Sequence, residues 1–250
     1  MKTFTKYILQ KVLGFPTYLY VFALFVIAKI RWDKKEKDFF HFLKLLPDGG
    51  IVLDLGANIG VTSYYLAKKL PDSTIFSFEP IEINMNVLKR IKKKFNLQNI
   101  KEFQMAAGNE NTQLEMVMPV IDQVPMHGLS HIVHKDIPDD KAGLRFKVPM
   151  IKLDDFDELE HTHAKITGFK IDVENSEYFV LKGARRLIEQ NHPLIYCELW
   201  DNQNRQNCIA FLNKMGYSAF VLHNRKLVTF NSGNYQKHNF FFIPDSLNDN

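Results

Sequence analysis

Asp54, Gly56, Asn58 and Gly60 fall at every second position in the stretch VLDLGANIG, residues 52–60. A hydrophobic run that ends in a carboxylate and opens into a glycine-bearing turn lets backbone approach a ligand closely. A dinucleotide fingerprint would read G-x-G-x-x-G, but Asn58 stands at its second glycine and Val61 at its third. More carboxylates collect at the ends of other apolar runs: Glu79 after STIFSF, Asp172 and Glu174 with Lys170 in FKIDVE, and Glu198 in PLIYCELW. A phosphate site would want backbone amides and a lysine. Carboxylates repel phosphate and suit a ligand that carries an ammonium or sulfonium charge and a ribose. Glu79 is placed to accept both ribose hydroxyls. Asp54 would meet the ligand's amino group directly or through water, or would only shape the turn.

These residues need a scaffold, and the hydrophobic pattern supplies one. GIVLDLG (50–56), STIFSFEP (73–80), IKEFQMAAG (100–108), ITGFKIDVE (166–174) and PLIYCELW (193–200) read as strands. Between them Ile81, Met85, Leu88, Ile91 and Phe95 line one helical face, and Val180, Ala184, Leu187 and Ile188 line another, with Ser176 as its N-cap. NCIAFLNKMG (207–216) is a further helix, and YSAFVLH, KLVTF and NFFFIP are late strands. Strand–helix alternation implies a mostly parallel sheet with helices on both faces and a ligand crevice beyond the strands' carboxyl ends. The segment 109–160 breaks the rhythm. It is expected to be an insertion over that edge, with a hairpin formed by TQLEMVMP and FKVPMIKL.

The N-terminus stands apart. From Val12 to Ala28 the chain carries no charge, with Lys2, Lys6 and Lys11 before the run and Lys29, Arg31, Lys34, Lys35 and Lys37 after it. This is at the lower limit for a membrane span, roughly 17 residues. Residues 1–38 therefore read either as a membrane tether or as an apolar helix packed on the domain or lying in a membrane interface. The basic flank favours a cytosolic domain. As a tether, the segment would be dispensable for ligand binding, with the domain proper covering 39–250. Of the 250 residues 46% are hydrophobic and 24% charged, enough for one full core, and a net charge of +4 is too mild to argue for nucleic acid. Two cysteines imply no disulfide framework.

The pieces LDLGANIG (53–60), FEP (78–80), KLDDF (152–156), FKIDVENSEYFVLKGA (169–184) and YCEL (196–199) together resemble the FkbM-type family of class I S-adenosylmethionine-dependent methyltransferases. The resemblance runs from roughly 50 to 244 and implies a doubly wound, mostly parallel, seven-stranded Rossmann-like sheet. It implies S-adenosyl-L-methionine as cofactor, bound by Asp54, Gly56, Asn58, Gly60, Glu79 and Ala107. It also implies O-methylation of a sugar, lipid or other metabolite, hence a small-molecule, glycan or lipid acceptor. Asn175 stands where the family has glycine after KIDVE, and Asn tolerates left-handed backbone better than most residues. On this reading Asp172 positions or deprotonates the acceptor hydroxyl, while Lys170 and Glu174 hold its geometry or touch the acceptor. The bland alternative is an ion pair of Lys170 with Asp172 or Glu198.

Other features carry less. His127, His131 and His134 invite a metal, but no cysteine or carboxylate nearby completes a set, so they read as a solvated or substrate-facing loop. The basic run RIKKKF (90–95) lacks interleaved aromatics of the kind that stack bases, so no nucleic-acid partner is expected. An NAD-linked oxidoreductase is disfavoured by Val61 and Asp54. A non-catalytic membrane-tethered binding domain keeps the same fold and stays open.

Overall fold

The computed structural model describes residues 3–121, 124–132, 143–231 and 237–247. The chain begins with helices α1 (Thr3–Leu13), α2 (Phe15–Lys29) and α3 (Lys37–Leu45). Then come β1 (Gly50–Leu55), α4 (Val61–Lys69), β2 (Ser73–Phe78), α5 (Glu82–Phe95) and β3 (Ile100–Phe103). The middle holds β4 (Ala106–Gly108), β5 (Thr112–Ile121), β6 (Val124–Pro125), β7 (His131–Ile132) and β8 (Gly143–Lys152). The last part runs α6 (Asp157–Glu160), β9 (Ile166–Ile171), α7 (Glu177–Gly183), α8 (Arg185–Asn191) and β10 (Leu194–Glu198). It ends with α9 (Gln203–Asn213), β11 (Tyr217–His223), β12 (Lys226–Thr229) and β13 (Asn239–Pro244).

The main sheet has the order β12-β11-β13-β10-β9-β1-β2-β3. Its five strands from β10 to β3 are parallel, and β13, β11 and β12 add antiparallel pairs. It thus has eight strands where seven were expected, because the 226–229 segment folds back on β11 as a hairpin. Chain order reverses beside β1, which has β2 on one side and β9 on the other. Such a switch point leaves a crevice at the strand ends.

Side-chain alternation sorts the two faces. Leu53, Leu55, Phe169, Ile171, Ile195 and Cys197 pack under α7, α8 and α9. Val52, Ile75, Tyr196 and Phe241 pack under α3, α4 and α5. Asp54 and Lys170 stand between apolar neighbours in their strands and so share this second face. The 177–191 segment forms two short helices rather than one, broken at Ala184, while Val180, Ala184, Leu187 and Ile188 are all buried as their spacing requires.

One expectation shifts. The 100–108 run does not stay in one sheet. It turns after Phe103 at the sheet edge, and β4 leaves to pair in parallel with β8. β5 and β8 form the expected antiparallel hairpin, which makes with β4, β6 and β7 a second sheet. The apolar N-terminal helix α2 lies against the domain as a third layer. Tyr18, Leu19, Ala23, Ile27 and Ile30 pack on Ile59, Val61, Val87 and Ile91 of the first turn, α4 and α5. Burying each Leu or Ile this way is worth about 1.5–3 kcal/mol, which explains why the helix docks.

Candidate active site

β1 ends beneath a turn that only certain residues can make. Gly56 has φ 79°, Asn58 φ 49° and Gly60 φ 82°. A Cβ on Gly56 would overlap the Asp172 carbonyl oxygen, so the glycine lets β1 and the end of β9 meet. The Asp172 amide donates to the Leu55 carbonyl at 3.1 Å and closes that junction. Gly60 leads into α4, where a side chain would press on Leu88.

Glu79, at the end of β2, organises the turn. Its Oε2 accepts from the Asn58 amide at 3.0 Å, and its Oε1 accepts from the Ile81 amide at 2.9 Å and from Asn84 Nδ2 at 3.2 Å. Burial pushes its carboxyl up to about 7, against the downward pull of these three donors. Oε2 accepts from one of them and keeps acceptor capacity for a ligand.

Asp54 is fully buried and lies outside the lining of the cleft. Its Oδ2 accepts from Ser63 Oγ at 2.6 Å and from Thr62 Oγ1 at 2.8 Å, and its Oδ1 lies 3.6 Å from Lys170 Nζ. A desolvated carboxylate needs partners, and the residues that follow the turn provide them. Here Asp54 shapes the turn that a ligand would meet.

Lys170 is buried beside it and donates to the Gly56 carbonyl and to Asp172 Oδ2, both at 3.2 Å. Burial pulls its ammonium down, but Asp172 and Asp54 outweigh that and hold its pKa above the ordinary lysine value. The Lys170–Asp172 pair weighed from the sequence is therefore formed. Asp172 keeps a partly exposed carboxylate, and Glu174 and Asn175 follow it at φ 51° and 72°. This left-handed pair is where the sequence has Asn in place of glycine. Glu177 holds the turn by accepting from the Val173 and Asn175 amides at 3.3 and 3.1 Å, and from Asn204.

The crevice at the switch point is an open cleft of about 670 Å³. Gly56, Asn58, Glu79, Ala107, Asp172 and Glu174 all line it, whereas Asp54, Gly60 and Lys170 do not. Three more of its walls belong to no motif that ties them to it, although the sequence marks His127 as part of a solvated or substrate-facing loop and Ser176 as an N-cap. Asn84, Ser176 and His127 come from α5, the start of α7 and the second sheet's loop. Asn58 Oδ1, Asn84 Oδ1 and Ser176 Oγ are buried there with no partner among the described residues. Ser176 stands at the N-cap position expected for it but makes no capping bond. Burial lowers the His127 imidazole to about 4, with Lys6 adding to the effect, so it is neutral near pH 7. Among the described residues no cluster could hold a metal, and His134 lies outside them.

Among the described residues the lining therefore contains carboxylates and unmatched acceptors but neither lysine nor arginine. That set fits the donors of an adenosyl amino acid, namely ribose hydroxyls, amino groups and a cationic centre, and it does not fit a pyrophosphate. On the far side of Asp172 lies a second cleft of about 1180 Å³, lined by Glu36, Lys170, Tyr196, Glu198, Trp200 and His238 among others. Asp172 belongs to both clefts. Burial and then Asp172 raise Glu198 to about 7, and burial with Asp172 and Glu198 raises Glu174 to about 8.

The chain is 26% identical over 156 residues to "Methyltransferase 1" of Beauveria bassiana, covering 55% of this chain and 59% of that protein. It is 33% identical over 72 residues to "Methyltransferase sdnD" of Sordaria araneosa, covering 27% of this chain and 28% of that protein. The crystal structure of Methyltransferase FkbM from Methylobacillus flagellatus superposes with a TM-score of 0.52 at 17% identity, covering 80% of this chain and 45% of that one. The chain thus spans less than two thirds of each, and the structural likeness establishes a class I methyltransferase, Rossmann-like fold. The methyltransferase FkbM domain matches residues 54–226, from the carboxylate that ends β1 to the strand β12, and the chain belongs to that family.

Proposed function

We propose that the protein transfers a methyl group from S-adenosyl-L-methionine to a hydroxyl of a sugar, lipid or other small metabolite. The observation that supports this most is the position of Asp172, whose carboxylate borders both the donor-accepting cleft at the switch point and the larger cleft beyond it. When bound, the cofactor supplies a methyl on a positively charged sulfur, which leaves as a neutral thioether. The chain's part is to align and to move a proton. Gly56, Asn58 and Ala107 give close backbone approach, and Glu79 accepts from the ribose. Lys170 fixes one oxygen of Asp172, so the other is directed to the acceptor. As the acceptor oxygen bonds to the methyl carbon, its proton passes to Asp172, a transfer typically worth 100- to 10,000-fold in rate. Glu174 and Glu198, both poised near neutrality, relay that proton to solvent. Trp200 and His238, with ring centroids 4.7 Å apart, offer the acceptor an aromatic wall.

The test has two parts. Calorimetry should detect binding of S-adenosylhomocysteine and none of NAD. Methyl transfer from labelled S-adenosylmethionine should then be found with at least one hydroxylated acceptor in a panel of sugars, lipids and polyketides. Tight NAD binding without S-adenosylhomocysteine binding would refute the cofactor. Methylation of amines alone would refute the hydroxyl acceptor.

A further inference from the structure

α2 is apolar on both sides, yet only one side is covered. Leu19, Ala23, Ile27 and Ile30 face the domain, and Leu19 and Ala23 are fully buried. On the opposite side Val21, Phe25 and Ala28, and then Trp32 in the 3-10 turn that follows α2, come at steps of four, three and four residues and are all exposed. Phe25 is 53% exposed and Trp32 78%. α1 also exposes Ile8, Leu9, Val12 and Leu13, of which Val12 is 75% exposed. A helix that is hydrophobic all round normally sits in a core or in lipid, and a contiguous apolar face of this kind marks an interaction surface.

The charge around it identifies the occupant. No carboxylate occurs before Asp33, whereas Lys2, Lys6, Lys11, Lys29 and Arg31 all lie in that stretch. Lys29 Nζ lies 4.8 Å from the centre of the Phe25 ring, a cation beside the apolar stripe. Aromatic and aliphatic residues with lysines at their margin and no acidic group match a bilayer with anionic headgroups. A second copy of this face would set the same lysines against one another, so like charge opposes self-pairing.

The inner face argues against a span. A crossing helix would have to leave the domain, break the bond from the Tyr65 hydroxyl to the Ile27 carbonyl and expose Ile59, Val61, Val87 and Ile91. It would also release Arg90, whose guanidinium lies 3.8 Å from the Tyr20 ring centre. We infer that the α1–α2 pair stays docked and rests in the plane of an anionic membrane surface through Val12, Val21, Phe25 and Trp32. The inference does not depend on the acceptor or on catalysis. α2 also touches the site: Phe22 packs edge-on against His127 at 5.8 Å, and Ile59 of the first turn lies in its core cluster. The membrane-facing layer and the cleft are therefore in direct contact.

The test uses the full chain with vesicles of phosphatidylcholine alone or mixed with phosphatidylglycerol. Trp200→Phe leaves Trp32 as the sole tryptophan, since the sequence has two. Binding should favour the anionic vesicles and weaken with salt. Trp32 emission should shift to the blue and be quenched by nitroxides near the headgroups. Phe25→Asp and Val21→Asp should each lose about ten-fold or more in vesicle affinity with an unchanged melting temperature. Absence of binding by the parent, or undiminished binding by both variants, would overturn the inference. Resistance to alkaline extraction with deep quenching would replace it with a spanning helix. A dimer that Phe25→Asp dissociates, without vesicle binding, would assign the face to a second copy. Failure of both variants to fold would make the stripe part of the core and overturn it as well.

Discussion

Lys170 stands directly across from Asp54 in the parallel register of β9 with β1, and its ammonium lies 3.6 Å from the Asp54 carboxylate. Both side chains are buried, and the same ammonium reaches the Gly56 carbonyl and Asp172. One cation thus ties the end of β1, the first turn and the proposed base together. Removing one partner of a buried pair strands the other charge, a cost of about 3–5 kcal/mol. Lys170→Met is expected to lose stability on that scale in denaturant unfolding. Adding Asp54→Asn should recover part of the loss. An unchanged midpoint for Lys170→Met would mean that the pair does not hold the junction.

Glu79→Ala is expected to weaken S-adenosylhomocysteine binding roughly 10- to 100-fold, the value of a charge-assisted bond of about 1.5–3 kcal/mol. A second reading comes from pH. The carboxyl is pushed up to about 7, so its acceptor form fills as pH rises through neutrality. Affinity should rise between roughly pH 6 and 8 in the parent, and Glu79→Gln should flatten that profile. A parent profile that falls over this range would remove Glu79 from ligand binding.

For Asp172→Asn, the expected outcome is a fall in turnover of about 100- to 10,000-fold with cofactor affinity within a few-fold of the parent. Single-turnover methyl transfer measured beside calorimetry separates the two quantities. Joint loss of both would move Asp172 into the cofactor site, and turnover within a few-fold of the parent would end its role as base.

The stability of the ligand-free protein should fall as pH rises from about 6.5 to about 8. Glu79 and Glu198 are raised to about 7 and Glu174 to about 8, mainly by burial. A raised folded pKa means that the folded state holds a proton the unfolded chain has released. Its contribution is complete below the unfolded value and is lost through the folded one. His127, lowered to about 4, acts in the opposite sense and only below its ordinary value of 6.5. Melting temperatures that climb across this window would contradict the assignment.

Deleting residues 1–32 should lower the melting temperature and weaken cofactor binding, because it uncovers Ile59 and Val61 beside the turn. Each buried Leu or Ile lost from α2 contributes about 1.5–3 kcal/mol. A truncated chain that melts and binds like the parent would make the segment a dispensable tether, as its sequence alone allows.

The architecture around the site is legible in the order of residues alone. Apolar strands alternating with amphipathic helices leave few topologies, and Gly56, Asn58 and Gly60 marked a turn that needs left-handed backbone. Both are local properties, written in residues a few positions apart. The alternation in FKIDVE likewise separates Phe169 and Ile171 from Lys170. Which polar groups face each other depends on contacts between segments far apart in the chain. Asp54 turns to Thr62 and Ser63 rather than the cleft, because the face of β1 it shares with Val52 lies under α4. Asn84, His127 and Ser176 enter the cleft from three separate elements, so no spacing could link them. Val12–Ala28 shows the same division. Its apolarity was plain, but whether such a helix crosses, rests on or leaves a membrane depends on what covers each face. The buried inner row of Leu19 and Ala23 and the bare outer row of Phe25 and Trp32 exist only once the chain has folded.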